Sequence, residues 1–488
     1  MITFFISLAA LVVGYLVYGC FVERVFSPDD RPTPAVAKAD GMDYVAMPYW
    51  KVFMIQFLNI AGTGPIFGAI MGAKFGPAAY LWIVFGCIFA GAVHDYFTGM
   101  LSMRNGGCDL PELVRKYLGG VASKVLLAFA VFLLVMLGTV FVYSPAEILH
   151  GIWGSTTLWI VLIFAYYVVA TMLPIDKIIG KVYPLFSFSL LFMAVALVAV
   201  LVVRMPQLPE LWDGLGNMGK AASPSTFTDS IFPCLFITIA CGAISGFHAT
   251  QSPLMARCLR SERKGRPIFY GAMITEGLVA LVWATVSMWF FYDAPQPGYE
   301  QIAGAADKGF LTSAPMVVNL VCKDWLGLLG GVLAMLGVVA APITSGDTAF
   351  RSARLIIAQA LRLNQCPKKN RLYICVPLFA ASFAMLVWQM ENPDGFNTIW
   401  QYFGWANQTL SVFALWTITV YLVRENKPYV ITLIPALFMT TVCTTFLMVS
   451  NTAFGLPYSV GYAVGGMALC IAIVLFAVWK RNVSKKHI

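Results

Sequence analysis

The chain has 488 residues, of which 59% are hydrophobic and only 11% charged, with a formal net charge of +9. A water-soluble domain carries roughly a quarter charged residues, so this composition excludes one and indicates a polytopic membrane protein. The positive balance does not indicate nucleic acid, because Lys and Arg lie in loops that alternate between rich and empty, with no basic stripe.

The apolar runs continue for about 20 residues, the length of a membrane-crossing helix, whereas barrel strands would alternate apolar and polar positions. About thirteen spans are expected, near 3–22, 51–74, 77–100, 124–143, 157–173, 183–203, 231–256, 269–292, 326–349, 372–390, 397–423, 428–449 and 459–480. The expected fold is all-α, one membrane domain over 1–488. The first run, Thr3 to Val22, has no positive n-region and no small-residue cleavage site, so it reads as a span and not a signal peptide. Leu110 to Tyr117 reads as a short amphipathic helix at the inner surface. The eleven cysteines form no paired CxxC motifs and lie mostly within apolar runs, as packing residues do.

Spans two and seven are interrupted. Ala61-Gly62-Thr63-Gly64-Pro65 divides the first, and a polar stretch from Gly242 to Gln251 divides the second before Ser252-Pro253. An unpaired peptide group in lipid costs several kcal/mol, so unwound chain at that depth survives only against protein or a wet cavity. Paired interruptions in two halves of a chain mark a transporter's binding site. Each first half holds about eleven apolar residues, roughly 16 Å of helix, which puts both breaks near mid-depth of a core of about 30 Å.

Gly64-Pro65 and Ser252-Pro253 have the chemistry of helix starts, so free N–H groups and positive dipole ends would face a carboxylate there. The hydroxyls of Thr63 and Ser245, with nearby carbonyls, would suit a cation. The expected lining is Asn59, Gly62, Thr63, Gly64, Gly242, Ser245, Gly246, His248 and Gln251. A competing reading makes Gly64, Gly68 and Gly72 a small-residue packing face. A nucleotide loop is excluded, because no strand precedes Gly62 and no Lys-Ser/Thr follows Gly64.

The two breaks are five spans apart, an odd offset that gives their units opposite topology. The units run over 51–203 and 231–423, after an N-terminal span and loop (1–50) and before two further spans (428–481). One side of the membrane holds only Lys74, Arg204, Lys220, Lys308 and Lys323, and every other Lys and Arg falls on the opposite side. The positive side is cytoplasmic, so the N-terminus is expected outside and the C-terminus inside.

A charge at the bilayer centre costs at least about 2.5 kcal/mol, which singles out the deep ionisable residues. His94 and Asp95 fall in span three, some 100° apart on the helix and so not expected to pair with each other. His248 lies inside the second break. Glu276 has no basic neighbour in sequence nearer than Arg266 and Lys264, and an unpartnered carboxyl at depth suits proton carriage. Asp347, after Thr344 and Ser345, either joins this set or simply pairs with Arg351 one turn on. Span eleven adds Gln401, Trp405, Asn407 and Gln408, amides that either tie helices together or line the path.

Five stretches carry a family resemblance: Ile60 to Ile66, Gly91 to Asp95, Phe236 to His248, Pro342 to Ser352 and Trp405 to Gln408. Together they resemble the carbon starvation protein A family of bacterial membrane transporters. Long members have Gly-Ala-Gly-Pro where this chain has Gly62-Thr63-Gly64-Pro65, and they carry extra C-terminal spans, so the chain is similar to the short branch. The resemblance implies nutrient uptake, of peptides or pyruvate, across the bacterial cytoplasmic membrane.

The expected architecture is a LeuT-like five-plus-five inverted repeat with two discontinuous helices. The expected activity is secondary transport of a small carboxylate-bearing nutrient, coupled to protons through Glu276 or the His94–Asp95 region. A sodium-coupled carrier using Thr344 and Ser345, a passive channel, and an intramembrane metal enzyme are the alternatives. The last would require Asp95 or Glu276 to converge with His94 and His248. No cofactor, resident metal or nucleic-acid partner is expected; lipid surrounds the chain, and an accessory subunit is left open.

Overall fold

The computed structural model describes residues 1–172, 175–215, 230–292, 314–365, 367–392 and 395–486, and among these every regular element is helical. Lys220 and Lys308, two of the basic residues assigned to the sparse side, lie outside the described residues. Among the described residues, ten helices are long and apolar enough to cross a membrane, or eleven when the bent pair Tyr49–Ile60 and Gly64–Phe75 counts as one span. The expectation of thirteen exceeds this by two. The fifth expected span is a shorter apolar helix, Thr156–Thr171, and the seventh is two helices of 8 and 9 residues, each too short to cross alone.

In chain order, α1 (Ile2–Phe26) precedes the first interrupted span, α2 (Tyr49–Ile60) and α3 (Gly64–Gly72). Then come α4 (Ala78–Arg104), α5 (Leu110–Leu118), α6 (Gly120–His150), α7 (Thr156–Met172) and α8 (Ile175–Arg204). The second interrupted span is α9 (Ile231–Thr238) with α10 (His248–Ala256), followed by α11 (Gly271–Tyr292) and α12 (Ala314–Ala360). The chain ends with α13 (Lys368–Glu391), α14 (Gly395–Arg424), α15 (Val430–Val449) and α16 (Tyr458–Lys486). The amphipathic segment is α5, with Leu110, Leu113 and Val114 buried.

Lipid is as apolar as a leucine side chain, so apolar character alone does not draw a helix inside, and the less apolar helices are the central ones. The membrane-length windows of α4 and of the helix containing α11 are both 83% buried, against 28% for α1 and 11% for α16. So α4 and α11 are central, and α1 and α16 are peripheral. Within the centre, α12 packs along α6 and α8, α11 against α2 and α3, and α10 against α4. Three stretches are wound as π-helix: Gly14–Tyr18 in α1, Trp82–Gly91 in α4 and Arg266–Tyr270 just before α11. They abut one another, with Tyr270 Oη donating to Ile88 O at 2.9 Å and Tyr15 and Tyr270 rings 6.3 Å apart.

Candidate functional site

The first break falls where the sequence puts it. Ala61 leaves helical geometry (φ −80°, ψ 57°), and α3 restarts with Gly64 and Pro65 in its first turn, bent 44° from α2. A proline there loses nothing, since that N–H has no helical acceptor. The second break is displaced from expectation. Residues 239–247 are unwound and α10 begins at His248, so His248 and Gln251 are helical and Pro253 lies inside the helix instead of at its start.

The physical reason comes from another helix. Asn407 of α14 accepts Gly246 N through its carbonyl (3.1 Å) and Phe247 N through Oδ1 (2.7 Å), and Oδ1 also accepts Ser245 Oγ at 3.0 Å. Capped this way, the helix can start upstream of the proline. These N–H groups are therefore not free for an anion, and Asn407 is first a cap. Gly246 is needed here, because a Cβ would run into Asn407 O and Leu410.

The two breaks touch. A Cβ on Gly64 would meet Cys241, one on Gly68 would lie 2.8 Å from Thr238 O, and one on Gly72 would strike Ile239. The glycine face is thus a packing surface, and what it packs against is the other break. Trp82 Nε1 satisfies the freed Ile239 carbonyl at 2.8 Å, and Gln408 Nε2 satisfies Phe236 O at 2.7 Å. Gly242 turns to α11, where a Cβ would meet Ala280, so it supports the site from behind.

Around this contact several buried polar atoms have no hydrogen-bond partner: both amide atoms of Asn59, Thr63 Oγ1, Gln56 Oε1, Gln251 Oε1 and Gln408 Oε1. Each such atom costs about 1–3 kcal/mol if left dry. Gln56 reaches the second interrupted span at Ser252 Oγ (3.4 Å). Ser345 of α12 lies 3.0 Å from both Leu58 O and Asn59 O at the end of α2, while Thr344 bonds within its own helix to Ala340 O and Ala341 O.

Beside the breaks the deep ionisable residues form a continuous array, all fully buried. His94 Nδ1 and Asp95 Oδ1 are 2.8 Å apart, His248 Nδ1 and Asp95 Oδ2 are 2.8 Å apart, and His248 Nε2 lies 3.4 Å from Glu276 Oε2. Two expectations are corrected. His94 and Asp95 do pair, because Nδ1 is close to the main chain and reaches around the helix circumference. Glu276 does have a basic neighbour, supplied by α10 and not by its own helix.

Asp347 stands apart from the array. Its Oδ2 accepts Tyr183 Oη of α8 at 2.7 Å, and Arg351 extends to Asp43. Cys241, His248 and Glu276 each offer a donor atom within 4.8 Å of the others, a group that contains His248 and Glu276 but has Cys241 where the metal reading expects His94. Cys241, Gln56 and Tyr183 were missed as site residues. The only signal for Cys241 was its place between the two halves of the second interrupted span.

The family model described as carbon starvation protein CstA matches residues 1–151, 142–306 and 304–446. An uncharacterized membrane protein of Haemophilus influenzae is 45% identical over 344 residues, 61% of this chain and 92% of its own. The peptide transporter CstA of Bacillus subtilis is 28% identical over 574 residues, covering 96% of this chain and 94% of that one. The peptide transporter CstA of Escherichia coli is 26% identical over 544 residues, 86% of this chain and 76% of its own. In fold, the chain is similar to the manganese transporter of Eremococcus coleocola, with a TM-score of 0.57 at 12% identity over 92% of this chain and 99% of that one.

Proposed function

This chain belongs to the carbon starvation protein CstA family and is a multi-pass secondary transporter, not an enzyme; on that premise we propose that it imports a small carboxylate-bearing nutrient, a peptide or a pyruvate-like acid, driven by protons. The observation that carries this reading is the meeting of the two breaks at Gly64 and Cys241, with unpartnered polar groups around them and a buried acid–imidazole array alongside. The relatives named peptide transporters support a peptide or its carboxylate as cargo.

The array suits proton coupling for a geometric reason. His248 sets one ring nitrogen towards Glu276 and the other on Asp95, so a proton accepted at Nε2 can leave from Nδ1. His248 also opens α10, one wall of the second break. A change of charge in the array therefore acts on the half-helix that holds the cargo. Asn59, Thr63 and Gln251 hold the nutrient, Asn407 and Ser245 fix the second break, and rocking of the bundle containing both interrupted spans alternates access. The positive-inside rule supports a cytoplasmic-membrane carrier with its N-terminus outside and C-terminus inside.

Sodium is the second reading of the coupling ion, favoured by the three oxygens of Ser345, Leu58 and Asn59 grouped at the end of α2. The deciding experiment is reconstitution in liposomes with labelled pyruvate and dipeptides, with and without a pH gradient. Accumulation against a concentration gradient is expected, and simple equilibration would leave a channel. Glu276→Gln is expected to abolish gradient-driven uptake while exchange persists; uptake with unchanged pH dependence in that variant removes Glu276 from the mechanism.

A further inference from the structure

The inner halves of the two interrupted spans, α2 and α10, are tied together where they reach the Lys/Arg-rich side. Arg257 directly follows α10 and is buried to 4% exposure. Its Nη2 donates to Asp109 Oδ1 and its Nε to Gly107 O, both at 2.7 Å, the distance of a well-made charge-assisted bond. Its guanidinium also lies over the Tyr44 ring, 5.4 Å from the centroid, within reach of a cation–π contact. Asp109 holds the capping position of α5 but gives its carboxylate to Arg257. Gly107, at φ +79°, makes the close approach possible: a Cβ there would lie 2.8 Å from Arg257 Cγ and 3.0 Å from Tyr44 Cε1.

Arg257 thereby joins three segments of chain. Residues 44–47 lead into α2, and Met47 N binds them to the exit of α10 by donating to Cys258 O at 3.1 Å. Tyr44 Oη and Lys38 Nζ both donate to Gly106 O, at 3.2 and 3.0 Å. The loop from Gly106 to Asp109 is fixed to the end of α4, with Gly107 N donating to Ser102 O (2.8 Å) and Ser102 Oγ to Cys108 O (2.7 Å). Deeper in, the two half-helices touch through Gln56 and Ser252, a longer contact of 3.4 Å. A path from the breaks to this side runs between α2 and α10, and the junction closes its end. A buried ion pair adds little stability over apolar packing, yet losing one partner costs much, which suits a contact that is either fully made or fully open. The nine residues of α10 span roughly 14 Å, with His248 of the array at one end and Arg257 just past the other.

We propose that the Arg257–Asp109 pair, backed by Tyr44, is the latch that closes the cargo path towards the Lys/Arg-rich side, and that cargo leaves on that side when the pair parts. Parting frees α10 from the α4–α5 loop and from the lead-in to α2, so one side chain releases both inner half-helices. A change of charge at His248 reaches the latch along the length of α10. The inference rests on the reading of the two breaks as the cargo site.

Cys258, fully buried beside Arg257, is a native reporter of the latch. The full-length purified protein in detergent is treated with N-ethylmaleimide, and modification of Cys258 is followed by mass spectrometry beside that of Cys322 and Cys443, buried elsewhere in the fold. Asp109→Asn keeps the side-chain volume and removes the charge, and Arg257→Gln removes the other partner. Each is expected to raise the Cys258 rate about tenfold and to leave the other two cysteines at the wild-type rate. An unchanged Cys258 rate in either variant overturns the latch. Faster reaction at all three cysteines marks a loosened fold and overturns it as well. In liposomes, uptake of labelled pyruvate or dialanine by Asp109→Asn is expected to fall about tenfold, because the path stays open on one side. Wild-type uptake with Cys258 exposed overturns the gating role. A wild type that accumulates neither probe removes the reading of the cargo, and the Cys258 rates still decide the latch.

Discussion

The contact between the two breaks can be tested by adding and removing single groups. A methyl at position 64 would lie 2.5 Å from Cys241 Cβ and nearer still to its sulfur. Carbon atoms pack at about 3.5–4.0 Å, so Gly64→Ala must push the walls of the site apart by about 1 Å. Overpacking of this kind costs roughly 1–3 kcal/mol. If that cost falls on the transport-competent arrangement, activity drops by about 5- to 150-fold. Relief is also specified by the geometry. Cys241→Gly removes both colliding atoms and leaves Cys241 Cα, 3.9 Å from the new methyl, as the nearest remaining atom of that residue. The double variant is therefore expected to recover most of the lost activity, as contacting pairs couple by about 0.5–3 kcal/mol. The assay is the initial rate of labelled pyruvate or dialanine uptake in liposomes, normalised to folded protein by thermal melt. Wild-type uptake by Gly64→Ala refutes the reasoning, as does a folded double variant no better than the single.

Asn407→Ala strands the N–H of Phe247 and the hydroxyl of Ser245, so a loss of about 1–3 kcal/mol in thermal stability is expected, and Asn407→Asp, which keeps an acceptor, should lose less. Replacing sodium by choline is expected to leave uptake unchanged under a pH gradient; loss of uptake would move the coupling to the Ser345–Leu58–Asn59 oxygens. Treatment with a chelator is likewise expected to have no effect. A chelator-sensitive rate, restored by added zinc or manganese, would show that Cys241, His248 and Glu276 work as ligands and not as a proton path.

What the sequence makes legible here is local. The break at Ala61 to Thr63 can be read because glycine and proline act on their own turn, and the same logic finds the helical segments from apolar run length. Sequence alone sets the second break several residues late, because Ser252-Pro253 has the right local chemistry, whereas the start of α10 is set by Asn407, which arrives from α14. Likewise His94, Asp95, His248 and Glu276 each stood out as ionisable residues in apolar spans, but no spacing along one helix could reveal that α4, α10 and α11 bring them into line. Asp347 and Arg351 show the opposite error. Their one-turn spacing suggests a pair, yet Tyr183 claims the acid and a distant loop claims the arginine.

The three π-wound stretches have a mechanical consequence. A turn closed by i→i+5 bonds is wider and weaker than its neighbours, and helices bend or slip preferentially at such turns. Here the soft turns of α1, α4 and the approach to α11 abut, linked through Tyr270 and Ile88. Compliance is therefore pooled in one patch, which borders the second break where Trp82 holds the Ile239 carbonyl. When α4 and α11 tilt, that patch yields like a shared bearing, and α1, though peripheral, must follow them.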